Sequence, residues 1–156
     1  MRRKERQVTD KKRLEQIIEA CHCIRVGFFS EGQVYIVPVN FGYVFEDEKY
    51  TFYFHSAKEG RKMELIKSNP TVGFEMDTGY ELKMAASACG HTAYFQSIVG
   101  QGKVSIVENT GEKRKGLQAV MKHETGRSEW EFQEKMLDAV CVWKLEVIKL
   151  TGKENI

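Results

Sequence analysis

Apolar positions recur along this chain with two periods, and these divide it into elements. Leu14, Ile17 and Ile18 fall on one face of a helical repeat over residues 10–20, with Asp10 placed to cap it. Cys23 to Phe29 predicts a first strand, closed by the turn Ser30-Glu31-Gly32-Gln33. Val34 to Phe45, rich in Val, Tyr and Phe, predicts one long second strand, and Glu46 to Lys49 another turn. In a third strand, Tyr50 to His55, Tyr50, Phe52 and Phe54 face one way and Thr51, Tyr53 and His55 the other. Connections this short imply antiparallel neighbours.

The pattern then turns helical. Ser56-Ala57-Lys58-Glu59 has the Ser-x-x-Glu spacing of a capping box, followed by a helix through Met63, Leu65 and Ile66 that Asn69-Pro70 stops. Thr71 to Met76 predicts a strand, and residues 77–91, with Gly79, Gly90 and the small run Ala85-Ala86-Ser87-Ala88, a loop. Thr92 to Val107 is β-rich, with Gly100 and Gly102 marking a bend or bulge. Thr110 to Lys122 reads as a helix. Ser128 to Glu131 repeats the capping spacing ahead of a helix carrying Phe132, Met136, Ala139 and Val140. Cys141 to Leu150 alternates as a last strand. The strands come in runs and do not alternate with helices, so the expected fold is a small six-stranded antiparallel barrel with three or four peripheral helices, and not a doubly wound parallel sheet.

Composition narrows the class. At 156 residues the chain predicts a single domain over 10–156, preceded by a basic arm at 1–9. Hydrophobic residues at 42% and charged residues at 29% are a globular balance that needs no disulfide or structural metal. The net charge is +2, but Arg2, Arg3, Lys4, Arg6, Lys11, Lys12 and Arg13 gather in the first thirteen residues against Glu5 and Asp10. No reading helix or aromatic-studded basic sheet accompanies them, so nucleic acid is not an expected partner. No apolar run suits a membrane span and no apolar signal core follows the start, so neither a membrane nor secretion is expected, and the cytoplasm is. Four scattered cysteines without a Cys-x-x-Cys read as reduced thiols.

The candidate chemistry concentrates in Tyr53-Phe54-His55-Ser56-Ala57-Lys58-Glu59-Gly60-Arg61-Lys62, where a strand passes into a helix start bearing two cations. Free N–H groups at a helix N-terminus attract anions. Arg61 offers a planar fork to phosphate oxygens, Lys62 a point charge, and Gly60 close backbone approach. Cations in a first turn oppose the helix dipole, and an external anion would account for them. The alternative is that Ser56 and Glu59 cap each other while both cations face solvent. Pro38 lies inside a predicted strand, which places that strand at an edge or bulge.

Tyr35-Ile36-Val37-Pro38-Val39-Asn40-Phe41-Gly42-Tyr43 followed by Tyr53-Phe54-His55-Ser56-Ala57-x-x-Gly60-x-Lys62 resembles the pyridoxamine 5'-phosphate oxidase-like flavoproteins, and among them the nitroimidazole-resistance (Nim-type) reductase branch. Cys21-x-Cys23-x-Arg25, Tyr94-x-x-Ser97-Ile98-Val99-Gly100-x-Gly102-Lys103 and Glu112-Lys113 fit the same pattern, so the resemblance spans roughly residues 8–150. It implies an FMN-binding split β-barrel that forms a homodimer with FMN at the interface. Ser56, Ala57, Gly60, Arg61 and Lys62 would then hold the phosphate. Val37, Pro38, Val39 and Asn40 would lie along the isoalloxazine ring, and His55 would sit at its edge as the candidate catalytic residue. Tyr94 and Ser97 would approach the cofactor from the partner subunit. The implied function is an FMN-dependent oxidoreductase of small molecules, of the nitroimidazole or nitroaromatic reductase kind, with NAD(P)H or a reduced cofactor as electron donor. The alternative is a flavin- or haem-binding carrier or sensor without turnover. Two departures count. The second basic strand motif of full pyridoxamine-phosphate oxidases is missing, which disfavours vitamin B6 oxidation, and Cys89 to Tyr94 lacks a tryptophan found there in many Nim-type relatives.

Cys21-His22-Cys23 and Cys89-Gly90-His91 lack zinc-knuckle spacing and predict no metal site. His123, near a helix C-terminus, reads as structural. Trp130 and Trp143 read as core or interface aromatics.

Overall fold

The Asp10 carboxylate accepts from the Arg13 amide at 2.8 Å and starts helix α1 (Lys11–Ala20), which buries Ile17 and Ile18. In this computed structural model, which describes residues 3–156, the remaining elements are β1 (Gln7–Val8), β2 (Ile24–Ser30), β3 (Gln33–Val39), β4 (Gly42–Glu46), β5 (Lys49–Ser56), α2 (Arg61–Ser68), β6 (Thr71–Lys83), β7 (Thr92–Ile106), α3 (Thr110–Thr125), α4 (Glu134–Ala139) and β8 (Cys141–Asn155). All strand pairs are antiparallel, in the order β3-β2-β6-β7-β8-β5-β4, with β1 added to β8.

The two terminal strands of that path, β3 and β4, are joined by Asn40 and Phe41 alone. A flat path of seven strands would be roughly 29 Å wide, from strand spacings of about 4.8 Å. Two linking residues reach about 11 Å. The sheet therefore curls until its ends meet, and with no ladder between β3 and β4 the result is a split barrel. Phe41, fully buried, plugs the seam edge-on to Phe52 at 5.5 Å.

The barrel interior holds Phe28, Phe52, Phe54, Phe74, Met76, Ile98, Leu145 and Trp143. Each large side chain there contributes on the order of 1.5–3 kcal/mol by leaving water. A second, smaller core forms where α3 lies on the outer face of β4, β5 and β8 and covers Tyr53, Val107 and Val142.

Four expectations need correction. The single strand over Val34 to Phe45 is two, and with β1 this makes eight strands instead of six. At the head of β4, a Cβ on Gly42 would collide with the Ala119 backbone, so the chain re-enters the sheet under α3 as bare backbone. The loop over 77–91 is largely strand, because β6 continues to Lys83 and pairs with β7 past a bulge between Thr78 and Glu81. That arm is exposed on both faces, so it carries no alternation to read. Both capping boxes fail. α4 begins at Glu134, and α2 starts from Gly60 with Ser56 still in β5.

Candidate functional site

The junction after β5 is built by strand alternation. Phe52 and Phe54 point into the barrel, and Phe54 stacks on Trp143 with centroids 4.0 Å apart. Ser56 continues on that inward face, and its hydroxyl donates to the Ala57 carbonyl at 3.1 Å and lies 3.6 Å from the Met63 sulfur. The Ser56 hydroxyl therefore does not cap α2, and no side chain caps Gly60. Gly60 adopts φ +118°, a conformation open to glycine, and leaves the first-turn N–H groups of α2 without a side-chain acceptor.

The cations follow. Lys62 is half-buried, with its ammonium 5.7 Å from the centre of the Trp143 ring, and burial holds its pKa below the ordinary lysine value. The Arg61 guanidinium lies 5.4 Å from the Tyr35 ring of β3. Among the described residues, neither Arg61, Lys62 nor Lys58 has a carboxylate within 4.0 Å. A half-buried ammonium without a counter-ion is costly, and an anion delivered from solution relieves that cost. Of the two readings left open by the sequence, mutual capping does not form, and the anion cradle remains the candidate. Beside it the thiol of Cys141, paired across the ladder with Ser56, has its pKa raised by burial.

The Arg61–Tyr35 contact ties the cradle to β3, and Val37 begins about 7 Å further along that strand. Val37 and Val39 turn toward the core, while Pro38 and Asn40 are exposed. β3 pairs with β2 on one side and with no strand on the other, so Pro38 sits in an edge strand, as its missing N–H requires. The Asn40 side-chain amide is already engaged, donating to the His22 carbonyl at 3.1 Å and to Glu124 at 3.2 Å.

The other candidates are not all gathered here. His55 is exposed on the face opposite Ser56, the face it shares with Tyr53. Tyr94 and Ser97 lie toward the far end of β7, whose near end, Ile106, pairs with Trp143. From Ser97 to Ile106 is roughly 30 Å of strand. Tyr94 is engaged instead by Lys83, whose ammonium lies 5.6 Å from its ring centre. One copy of the chain thus brings the start of α2 to Tyr35 on β3, while Ser97 and Tyr94 lie nine residues and more along β7 from the Ile106 end.

The Pyridoxamine 5'-phosphate oxidase family matches residues 10–154. The chain belongs to that family. A candidate 5-nitroimidazole antibiotic resistance protein from Bacteroides thetaiotaomicron is 34% identical, with a TM-score of 0.81 over 95% of this chain and 86% of that one. A flavocytochrome from Azotobacter vinelandii (18% identity, TM-score 0.78) covers 100% of this chain and 72% of its own. An FAD- and haem-binding protein from Mycobacterium smegmatis (17% identity, TM-score 0.82) covers 96% and 73%. These last two share the fold. No curated protein matches the sequence.

The family resemblance drawn from Tyr35 to Lys62 and from Tyr94 to Lys103 therefore stands, as does the split barrel. Sequence reasoning missed that Lys62 packs beside Trp143 and Arg61 beside Tyr35. Both contacts are long-range, and no local pattern marks them. Among the described residues no helix is long and apolar enough to cross a membrane, and no three metal-ligating side chains converge.

Proposed function

We propose that this chain is a flavin-dependent oxidoreductase of small molecules that holds the flavin 5'-phosphate at the start of α2, FMN being the smallest ligand that meets the cradle. The observation that carries this is Lys62, half-buried, short of its ordinary basicity and without a carboxylate partner. A dianionic phosphate supplies the missing charge, Arg61 adds two parallel donors, and the N–H groups behind Gly60 complete the shell. Ser56 and Ala57 form the wall between strand and helix, and Val37 to Asn40 offer backbone groups along the free edge of β3. Bound flavin would supply hydride or single-electron transfer. The chain's own residues bind it, orient it and shield it. His55, exposed beside the junction, is the proton carrier to test. A nitro compound as acceptor, with NAD(P)H as donor, follows from the 34% identity to the candidate nitroimidazole-resistance protein.

The working form is a homodimer in the cytoplasm. In the dimer that the family resemblance implies, Tyr94 and Ser97 approach the cofactor of the partner copy; in their own chain about 30 Å of β7 separates Ser97 from Ile106. The outer face of β3, β2, β6 and β7 suits such a partner: Val34, Ile36 and Val99 are each more than half exposed, around the bare backbone of Gly27 and Gly73. Purified protein should bind FMN in calorimetry, and its yellow absorbance should bleach with NADPH and return on adding a 5-nitroimidazole. Bleaching without return under that acceptor would favour the carrier or sensor reading, and no binding would reject both.

A further inference from the structure

The barrel wall opens at the end away from the cradle. β5 pairs with β8 as far as Thr51 and Glu146, and β1 takes up that side of β8 again at Gly152, so residues 147–151 have no neighbouring strand there. A bulge marks the opening: Val147 and Lys149 pair with Gly102 and Gln101 of β7, and Ile148 between them stands out of the ladder, 66% exposed. A cleft of about 690 Å³ occupies the gap, well inside the ~300–1,000 Å³ of small-molecule sites. Roughly 20 Å of β5, from Tyr50 to Ser56, separates it from the cradle. Tyr50 lines the cleft with Val147 and Leu150, which pack against the barrel core. Its side chain is more than nine-tenths buried, and its hydroxyl has no hydrogen-bond partner among the described residues. An orphaned buried donor is costly. Burial, reinforced by Glu15 and Glu48, pushes its pKa up to about 12, so it stays a donor at neutral pH. The rim carries Lys49, Lys103 and Lys149, none of which has a carboxylate within 4.0 Å among the described residues. Glu48 and Glu146 share the rim, at a long 3.8 Å from Lys11 and 3.9 Å from Lys144. Three ammonium groups against two carboxylates leave one net positive charge.

We propose that this cleft binds a small aromatic monocarboxylate with a second oxygen at the opposite end of its ring. The carboxylate lies among Lys49, Lys103 and Lys149, whose charges it meets at the rim. The ring covers Val147, Ile148 and Leu150 and removes their apolar surface from water. The far oxygen accepts from the Tyr50 hydroxyl and ends its isolation. A rigid ring holds the two oxygens apart without an ordering cost, which a flexible chain would incur. Glu48 and Glu146 repel a second negative group, so a single net positive charge favours a monoanion over a phosphate ester or a polyphosphate. The site stands on the opening in the wall and the Tyr50 hydroxyl, and does not depend on the flavin reading.

Amide NMR titration of the full chain with 4-hydroxybenzoate, benzoate and octanoate tests this, in the wild type, in Tyr50→Phe and in the double variant Lys103→Gln, Lys149→Gln. The wild type should bind 4-hydroxybenzoate with a Kd below about 1 mM, with shifts centred on Lys49, Tyr50 and residues 147–150. It should prefer 4-hydroxybenzoate to benzoate by roughly three- to tenfold, as one neutral hydrogen bond gives. Tyr50→Phe should abolish that preference and leave benzoate within about twofold of the wild type. The lysine variant should weaken both aromatic acids by roughly three- to tenfold, as two exposed charge contacts give. It changes only exposed side chains, so it still decides the matter if Tyr50→Phe does not fold. No saturable shift at the cleft up to about 10 mM ligand would overturn the site. So would a preference that survives in folded Tyr50→Phe, or an affinity unchanged in the lysine variant. Octanoate binding more tightly than 4-hydroxybenzoate would overturn the aromatic assignment.

Discussion

Replacing Lys62 by Met is the most informative change to the cradle, because it should move stability and binding in opposite directions. Met keeps the length of the side chain beside Trp143 and removes a half-buried ammonium that has no carboxylate within 4.0 Å among the described residues. The free protein should therefore lose nothing and gain up to about 1 kcal/mol, because a partly desolvated charge has been taken out. For a chain of this length that raises Tm by roughly 2–4 °C. Flavin binding should fall, since a charge-assisted hydrogen bond to phosphate is worth about 1.5–3 kcal/mol, or roughly 10- to 150-fold in Kd. Thermal melting of the flavin-free protein reads the first effect and isothermal titration with FMN the second. A structural lysine would show the reverse, a lower Tm and an unchanged Kd. Either an FMN affinity within twofold of the wild type or a Tm lowered by several degrees would refute the assignment of Lys62 as the phosphate cation.

Further outcomes follow from the packing and the charges. Gly42→Ala would drive a methyl group to about 2.1 Å from the Ala119 backbone, so it should destabilise by about 3 kcal/mol or more, read by urea denaturation. Glu112 accepts from Lys144 at 2.8 Å and from Tyr53 at 3.2 Å, and the Lys144 hydrogen bond is the main cause holding its pKa below the ordinary carboxylate value. Its contribution is complete above the unfolded pKa of about 4.3 and fades as pH falls through the lower folded value, so Glu112→Gln should cost roughly 1–2 kcal/mol at pH 7 and much less at pH 3. Denaturation curves at both pH values check the difference. Ile36→Asp, on the exposed face of β3, should convert a dimer into an 18.0 kDa monomer by light scattering without lowering the monomer's helix and strand content. A dimeric mass in that variant would reject this face as the interface.

The free cysteines show how far burial decides chemistry. Cys21 is almost fully buried and its pKa is pushed up to about 12, chiefly by that burial, while Cys89 is exposed at the tip of the β6–β7 arm. Thiol reagents should therefore modify Cys89 first, a difference that mass spectrometry of the briefly alkylated protein detects.

Local pattern was enough for much of this chain. Strand alternation from Tyr50 to His55, the Asp10 cap of α1 and the stop at Asn69-Pro70 are properties of neighbours in sequence, and local pattern exposes them. The basic junction after β5 was legible for the same reason, because a helix start and two cations lie within seven residues. What the chain could not display locally is whatever depends on partners far away in sequence. Asn40 and Phe41 read as ordinary strand, because the need to close the barrel there exists only once β3 and β4 occupy opposite ends of the sheet path. Ser56 and Glu59 have the spacing of a mutual cap, yet the ladder to Cys141 keeps Ser56 in the strand, and tertiary hydrogen bonding outweighs a local motif. Lys62 is cationic in any reading, but its burial against Trp143, eighty-one positions away, is what turns a surface charge into a half-desolvated one. Sequence determined which groups meet along the strand and helix; only the closed sheet decided which of them lost their water.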